Sequence, residues 1–332
     1  MDPVTHGLLG ATASQSFASR DKIRAAAFTG LASAMIADLD VLISSSADPL
    51  LNLEMHRQFS HSLVFISVGA LIATVLVWWF VKSRLSFKET YLFSLAAYAT
   101  AGILDACTSY GVKLLWPFVD ERYALNIISV FDPLFSLVLL LTTALVFYKR
   151  QKLLSWLSWT WVVLYLLWGS GQYGRAEHIA SQIAAQQNHL PVKTVIKPTI
   201  ANELLWSVRY VSRNDSLYAY GVRISPFSDP VIYKGKAVRL LNWRNTYADY
   251  KGTVLYDDIQ RFAKLSDGYL VRHPQLAEVI GDGRYAMLPT SVSPLWGIEI
   301  DTTSPHNHVK FETFRDAGPE VRNKFLDMLL GR

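Results

Sequence analysis

Two periodicities divide this chain. Up to about residue 170 the apolar positions come in long runs broken by short polar connections; beyond about residue 190 they alternate with polar ones. The first regime predicts helices. Asp2 before Pro3 is an N-cap and first-turn pair that opens a helix to about Ser16. His6, Gly7 and Gly10 interrupt that helix, so it should pack inside a bundle rather than span alone. Further helices are predicted over 24–44, 62–81, 90–107 and 133–148, the last opened by Asp132-Pro133. Residues 62–81 hold no charged side chain, and about twenty apolar residues match the hydrocarbon thickness of a bilayer. A sixth helix covers 153–168 and continues as a polar helix to about Asn188.

The second regime predicts strands. Leu204, Trp206, Val208 and Tyr210 alternate with their neighbours, Asn214-Asp215 marks a turn, and 217–222 returns as the hairpin partner. Short strands are expected at 231–233, 237–241 and 295–300, with helices at 257–265 and 320–330. The fold class read from this is mainly α: a multi-pass transmembrane helix bundle over 1–170, a connecting polar helix over 171–189, and a small α+β soluble domain over 190–332. Neither an internal repeat nor a low-complexity tract interrupts that plan.

Charge then assigns sides. The net charge of +5 would suit nucleic acid in a soluble protein, but no arginine-rich helix or basic-aromatic platform accompanies it, so nucleic acid is set aside as a partner. Much of the positive charge sits in short connections instead: Arg20, Lys22 and Arg24; Lys82, Arg84 and Lys88; Lys149, Arg150 and Lys152. Two helices separate each group from the next, so all three share a face, which the positive-inside rule makes cytoplasmic. The connections 45–60 and 108–126, the N-terminus and the domain after 170 then face outward. Met1-Asp2-Pro3 lacks the basic start of a signal peptide, and no cleavage site is clear, so no cleavable signal is expected. The single cysteine, Cys107, excludes an intrachain disulfide and a cysteine-built zinc site.

Hydropathy and charge set this topology, yet the ligand-type residues His6, Asp38, Asp40, His56, His61 and Asp105 all fall at the outer helix ends, as does Asp132. Burying such groups in or near lipid is costly, and a shared cation removes the cost. Asp38 and Asp40 close a helix, where the macrodipole disfavours a carboxylate by about 0.3–1 kcal/mol, and a cation reverses that sign. One position apart, the two point to nearly opposite helix faces. Either the helix unwinds so that both ligate, or one ligates while the other orients an imidazole. His56 and His61 open the third long helix, and imidazole with carboxylate suits zinc first, then manganese or iron, over magnesium or calcium. Arg57 between them is placed to stabilise charge developing on a phosphoryl or acyl oxygen. Asp105 faces the same dipole argument as Asp38, whereas Asp132 is explained as an N-cap. His178, His189, His273, His306 and His308 lack convergent acids and read as surface residues; Asp257-Asp258 reads as a helix N-terminus.

The order of these segments resembles a family. Pro3-Val4-Thr5-His6-Gly7-Leu8-Leu9-Gly10, Ala37-Asp38-Leu39-Asp40 and His56-Arg57-Gln58-Phe59-Ser60-His61-Ser62 carry the likeness. Gly102-Ile103-Leu104-Asp105-Ala106-Cys107-Thr108-Ser109-Tyr110-Gly111 and Leu115-Trp116-Pro117-Phe118 extend it. Together they resemble the YdjM-like membrane-bound metal-dependent hydrolases, LexA-binding and inner-membrane-associated. The resemblance implies an integral membrane protein with a divalent-metal site and leaves the substrate unset. Such proteins usually carry a histidine four residues before the aspartate of the fourth long helix; Ala101 stands there in this chain.

The reading expected from all this is an inner-membrane hydrolase. His6, Asp38, Asp40, His56, His61 and Asp105 hold one or two metal ions, a metal lowers the pKa of water toward neutrality, Asp40 takes the proton and Arg57 steadies the transition state. Location at the membrane favours a lipid or lipid-linked ester or phosphoester. The alternative is a non-catalytic membrane protein with a structural metal site, to which Ala101 lends itself. Ion transport would need charge at mid-membrane depth, and 62–81 has none.

Overall fold

A computed structural model describes every residue except Asp316, and the chain divides into two compact units. The first comprises Met1–Ile43, Met55–Gly171 and Ile200–Glu203; the second comprises Ser44–Glu54, Gln172–Thr199 and Leu204–Arg332. An N-terminal helical region is thus followed by a β-rich region, and the protein as a whole is mixed α/β.

The helices are α1 (Pro3–Phe17), α2 (Ile23–Ile36), the short α3 (Leu51–Met55), α4 (Ile66–Val81), α5 (Phe87–Ala106), α6 (Pro133–Lys149) and α7 (Ser155–Gln186). Their ends follow local chemistry. Asp2 Oδ1 accepts from Thr5 N at 3.0 Å to start α1, and Ser86 and Glu89 form a reciprocal capping box on α5. Asp132 accepts from Phe135 N at 3.0 Å before Pro133, and Arg150 in the left-handed region, at φ 53°, ends α6. The helix predicted over 24–44 holds α geometry only to Ile36 and tightens into a 3-10 helix at Ala37–Leu42. Two helical stretches, Ile23–Leu42 and Lys152–Gln186, are long and apolar enough to cross a membrane; Ile66–Val81 and Pro133–Lys149 are shorter apolar helices.

Small and hydroxyl side chains let these helices close on one another. A Cβ on Gly30 would strike the Gly10 carbonyl, so α1 and α2 touch backbone to backbone. Thr12 bonds Thr143 at 2.8 Å, and Ser33 bonds Ser94 at 2.9 Å, tying α1 to α6 and α2 to α5. Apolar side chains stay on the outer surface, among them Leu71, Ile72, Val75, Leu76, Trp79 and Phe80 of α4.

The second unit holds two four-stranded antiparallel sheets. In one, β1 (Pro191–Pro198), β2 (Leu205–Ser212), β3 (Ser216–Arg223) and β4 (Val231–Arg239) lie in sequence order. The C-terminal turns of α7 cover it, with Ile179 and Ile183 against Trp206, Val208 and Tyr220. In the other, β5 (Leu270–Arg272), β6 (Val279–Asp282), β7 (Trp296–Glu299) and β8 (Lys310–Thr313) are again in order. Helices α8 (Trp243–Thr246), α9 (Val254–Leu265) and α10 (Pro319–Leu330) complete the unit, and Leu50 from the 44–54 segment joins Ile259, Phe262, Leu270 and Ile280 in its core.

This corrects the expectation of a mainly α chain with a small appendage. Strands of three or four residues are too short to build an alternating pattern, and β1 is masked by Pro191, Lys193, Lys197 and Pro198. The strands expected at 231–233 and 237–241 form one continuous β4 that runs through Gly235.

Candidate metal centre

Four elements each bring one residue to a single point in the helical unit. His6 lies in the second turn of α1, Asp38 on the 3-10 helix, His61 in the turn before α4, and Asp105 in the last turn of α5. One ligand-capable atom from each lies within 4.8 Å of the other three. His6 Nε2 is 3.2 Å from Asp105 Oδ1 and 4.0 Å from Asp38 Oδ2. His61 Nε2 is 3.2 Å from Asp105 Oδ2 and 3.4 Å from Asp38 Oδ1. All four residues are buried, Asp38 least, at 9 % exposed.

The backbone that presents His61 is built for the purpose. Arg57 takes the left-handed region, at φ 57°, an uncommon position for a β-carbon residue. Its carbonyl accepts from Lys113 N at 3.1 Å, and Leu63 N donates to Leu114 O at 2.9 Å, so both ends of the turn are anchored. A Cβ on Gly102 would collide with the His61 carbonyl; glycine alone lets α5 come this close.

Hydrogen bonding then sets the imidazole. Ser60 Oγ donates to Asp40 Oδ2, because a carboxylate can only accept. That leaves the Ser60 oxygen to accept from His61 Nδ1, 2.9 Å away. Nδ1 therefore carries a proton, and Nε2 is the nitrogen that faces Asp38 and Asp105 and would ligate an ion there. Asp40 also accepts from Arg57 N at 2.8 Å, bonds His56 Nδ1 at 2.7 Å, and lies 3.5 Å from His61 Nδ1. A carboxylate behind a ligating imidazole is the arrangement that fixes its tautomer and raises its basicity.

Asp105 is gripped from its other side. Arg57 Nε stands 2.9 Å from Asp105 Oδ2, and the Met1 amine pairs with Oδ1. The guanidinium is held in turn by Thr108 Oγ1 at 3.5 Å, the Met1 carbonyl at 3.4 Å and the Tyr110 ring at 5.9 Å. One carboxylate, that of Asp105, thus faces both a guanidinium and an amine. His61 Nε2 and Asp38 Oδ2 are buried without a hydrogen bond, and both point into the gap between the four residues. Buried polar atoms left unpaired where carboxylates and imidazoles converge fit a cation, and two imidazoles with two carboxylates suit a transition-metal or zinc ion.

Of the six residues expected to bind metal, His6, Asp38, His61 and Asp105 come together. His56 and Asp40 are outside that group: His56 contacts Asp40, and Asp40 stands behind His61. Ala101 is fully buried in an apolar cluster with Ala37, Ala70 and Tyr98. Asp132 caps α6 and also accepts from Tyr165 OH at 2.8 Å. Sequence reasoning gave Ser60 no role, since a hydroxyl beside a histidine carries no periodic signal. Two histidines read as surface residues without acidic partners stand elsewhere. His273 is buried, and His308 Nδ1 meets Asp258 at 2.8 Å. Asp48, Asp258 and His308 form a second acidic group, but Arg261 already pairs with Asp48 at 2.8 Å and Asp258 at 2.9 Å, so it is an ion-pair network.

Apolar helices of membrane-crossing length around a buried His/Asp centre define a class: integral membrane proteins with a potential metal site. The family model for the YdjM inner membrane protein matches residues 1–176, and the chain belongs to that family. The inner membrane protein YbcI of Escherichia coli (strain K12) is 33 % identical over 147 residues, which are 43 % of this chain and 80 % of that relative. No solved structure matches the chain.

Proposed function

We propose that this protein is a metal-dependent hydrolase of the bacterial inner membrane, a multi-pass bundle acting on an ester or phosphoester of a lipid or lipid-linked substrate. One observation carries the proposal. Four side chains from four separate elements bring ligand-capable atoms to one buried point, and the Asp40–Ser60 pair holds the His61 ring with Nε2 toward it. His6, Asp38, His61 and Asp105 would hold the ion, zinc first by donor type, with manganese or iron next. When bound, the ion would supply Lewis acidity and an activated water.

The protein's own residues divide the remaining work. Arg57 acts through Asp105, fixing that carboxylate by its Nε. Asp40 Oδ1 and His56 Nδ1, 2.7 Å apart, form a pair able to accept a proton, and the His56 ring is one-third exposed, so the proton has a way out. An open groove of about 220 Å³ runs past Asp40 and Ser60 and is lined by Leu39, Ile43, Phe59, Phe65, Ile72 and Leu76. An apolar trough ending beside the acid–imidazole pair supports a substrate with an acyl or prenyl chain. The basic connections between helices support an outer-side site by the positive-inside rule.

The test is purification in detergent, measurement of bound metal, and a screen of phosphodiester and carboxylic ester substrates. We expect stoichiometric metal and turnover that Asp40→Asn abolishes even when metal is supplied in excess to offset the weaker binding of that variant. A second reading, a structural ion without catalysis, is favoured by the burial of all four ligands, since structural sites are closed. Metal-loaded protein that melts earlier after chelation, yet turns over nothing with or without Asp40→Asn, would establish that reading and end the first.

A further inference from the structure

The second unit carries a groove of about 600 Å³ between β4, the segment 288–293 and α10. Lys234 and Lys236 of β4, Arg272 at the end of β5 and Lys324 of α10 line it, together with Thr290, Ser291 and Ser293. No aspartate or glutamate is among its lining residues. All four cations are exposed, and among the described residues none makes an ion pair. Lys234 Nζ reaches only the Gln187 amide oxygen at 3.3 Å, and Arg272 Nη1 only the Ala277 carbonyl at 2.9 Å. Other cations of the same unit do have acidic partners, among them Lys193 with Asp267, Lys310 with Glu299 and Arg284 with Asp282.

The opposite wall carries hydroxyls whose oxygens already accept hydrogen bonds. Gln275 N donates to His273 Nδ1 at 3.2 Å, so Nε2 carries the imidazole proton and gives it to Ser293 Oγ at 3.1 Å. Ser293 N likewise donates to Ser291 Oγ at 3.1 Å. Each serine oxygen thus accepts one hydrogen bond and keeps an O–H able to donate to a ligand. The wall itself is fixed, because Lys236 N donates to Thr290 O at 3.1 Å and a Cβ on Gly235 would strike that same carbonyl.

We propose that this groove binds a small phosphate-bearing anion. Clustered cations repel one another, and an acceptor-only ligand relieves that repulsion while using every donor on both walls. The volume is that of a small-molecule site, not of a polymer track. A free phosphorylated compound and a lipid headgroup share this chemistry. The site is independent of the metal centre and stands or falls without it.

Calorimetric titration of the metal-free full chain in neutral detergent tests it, with inorganic pyrophosphate and dihexanoylphosphatidic acid as probes. Pyrophosphate should bind wild type and His61→Ala alike, more weakly as sodium chloride rises. Lys236→Gln with Lys324→Gln should weaken it by about tenfold or more, and Arg272→Gln separately by several-fold. Phosphatidic acid bound through the same residues would mark a headgroup site; pyrophosphate alone would mark a free anion. The proposal is overturned if neither probe binds, if the double lysine variant melts and binds like wild type, or if His61→Ala removes the binding.

Discussion

Ser60→Ala tests the centre at its least obvious residue. The hydroxyl makes two bonds, accepting from His61 Nδ1 at 2.9 Å and donating to Asp40. Losing a neutral hydrogen bond costs about 0.5–1.5 kcal/mol, and one to a charged group about 1.5–3 kcal/mol. Some of this returns, because Asp40 Oδ2 is already 3.5 Å from Nδ1 and can shorten that contact once the hydroxyl is gone. The net expectation is about ten- to hundredfold weaker metal binding, the usual penalty for removing a group that orients a ligating histidine. Competition against a chromophoric chelator, in detergent and at fixed pH, measures it. His56→Ala should cost less in the same assay, since His56 reaches the centre only through Asp40. Wild-type metal affinity in Ser60→Ala, or a larger loss in His56→Ala, would refute the tautomer argument and with it the assignment of His61 Nε2 as ligand.

Three further outcomes follow from named contacts. Gly102→Ala drives a β-carbon into the His61 carbonyl and should lower metal occupancy in elemental analysis, whereas Gly171→Ala, with nothing within 4 Å, should leave it unchanged. Arg261→Ala releases Asp48, Glu54 and the buried Asp258 together; a stability loss of about 1–3 kcal/mol, after discounting for partial exposure, should appear with new protease cuts in 44–54. Burial, reinforced by Asp132, pushes the Glu203 carboxyl up to about 9, above its ordinary 4.5. The folded state therefore keeps a proton that the unfolded chain gives up, and stability falls as pH rises from about 4.5 through 9. Glu203→Gln keeps the acceptor for Ser129 N and should flatten the decline in melting temperature between pH 6 and 9; a wild-type slope in that variant would contradict the assignment.

The helical half was legible because its signals are local. Asp2-Pro3 and Asp132-Pro133 mark helix starts that the structure places at Pro3 and Pro133, and uncharged runs mark what lies between. The β half was legible only where alternation lasts, as in β2 and β3. Strands β5, β6 and β8 are only three or four residues long, too short for an alternating pattern to announce them. The exchange of segments was also hidden: Leu50 enters the second unit's core, and Ala201 N donates to Phe131 O in the first. Such seating depends on tertiary partners that no window of sequence contains.

The centre was partly legible for a different reason: charged and imidazole groups at apolar helix ends are conspicuous whatever the fold. What composition cannot decide is which groups share an ion and which stand behind, because that depends on a few tenths of an ångström and on backbone form. Asp38 and Asp40 show this. An α-helix sends residues two apart to nearly opposite faces, but the 3-10 helix at Ala37–Leu42 brings both carboxylates to one imidazole, Asp38 at Nε2 and Asp40 toward Nδ1. Ala101 is settled by the same close packing. It lies a turn before Asp105 on α5, fully buried in a cluster with Ala37, Ala70 and Tyr98. Enlarging such a residue to histidine is overpacking, at about 1–3 kcal/mol. His6 on α1 reaches Asp105 at 3.2 Å, so the centre brings together two imidazoles, those of His6 and His61.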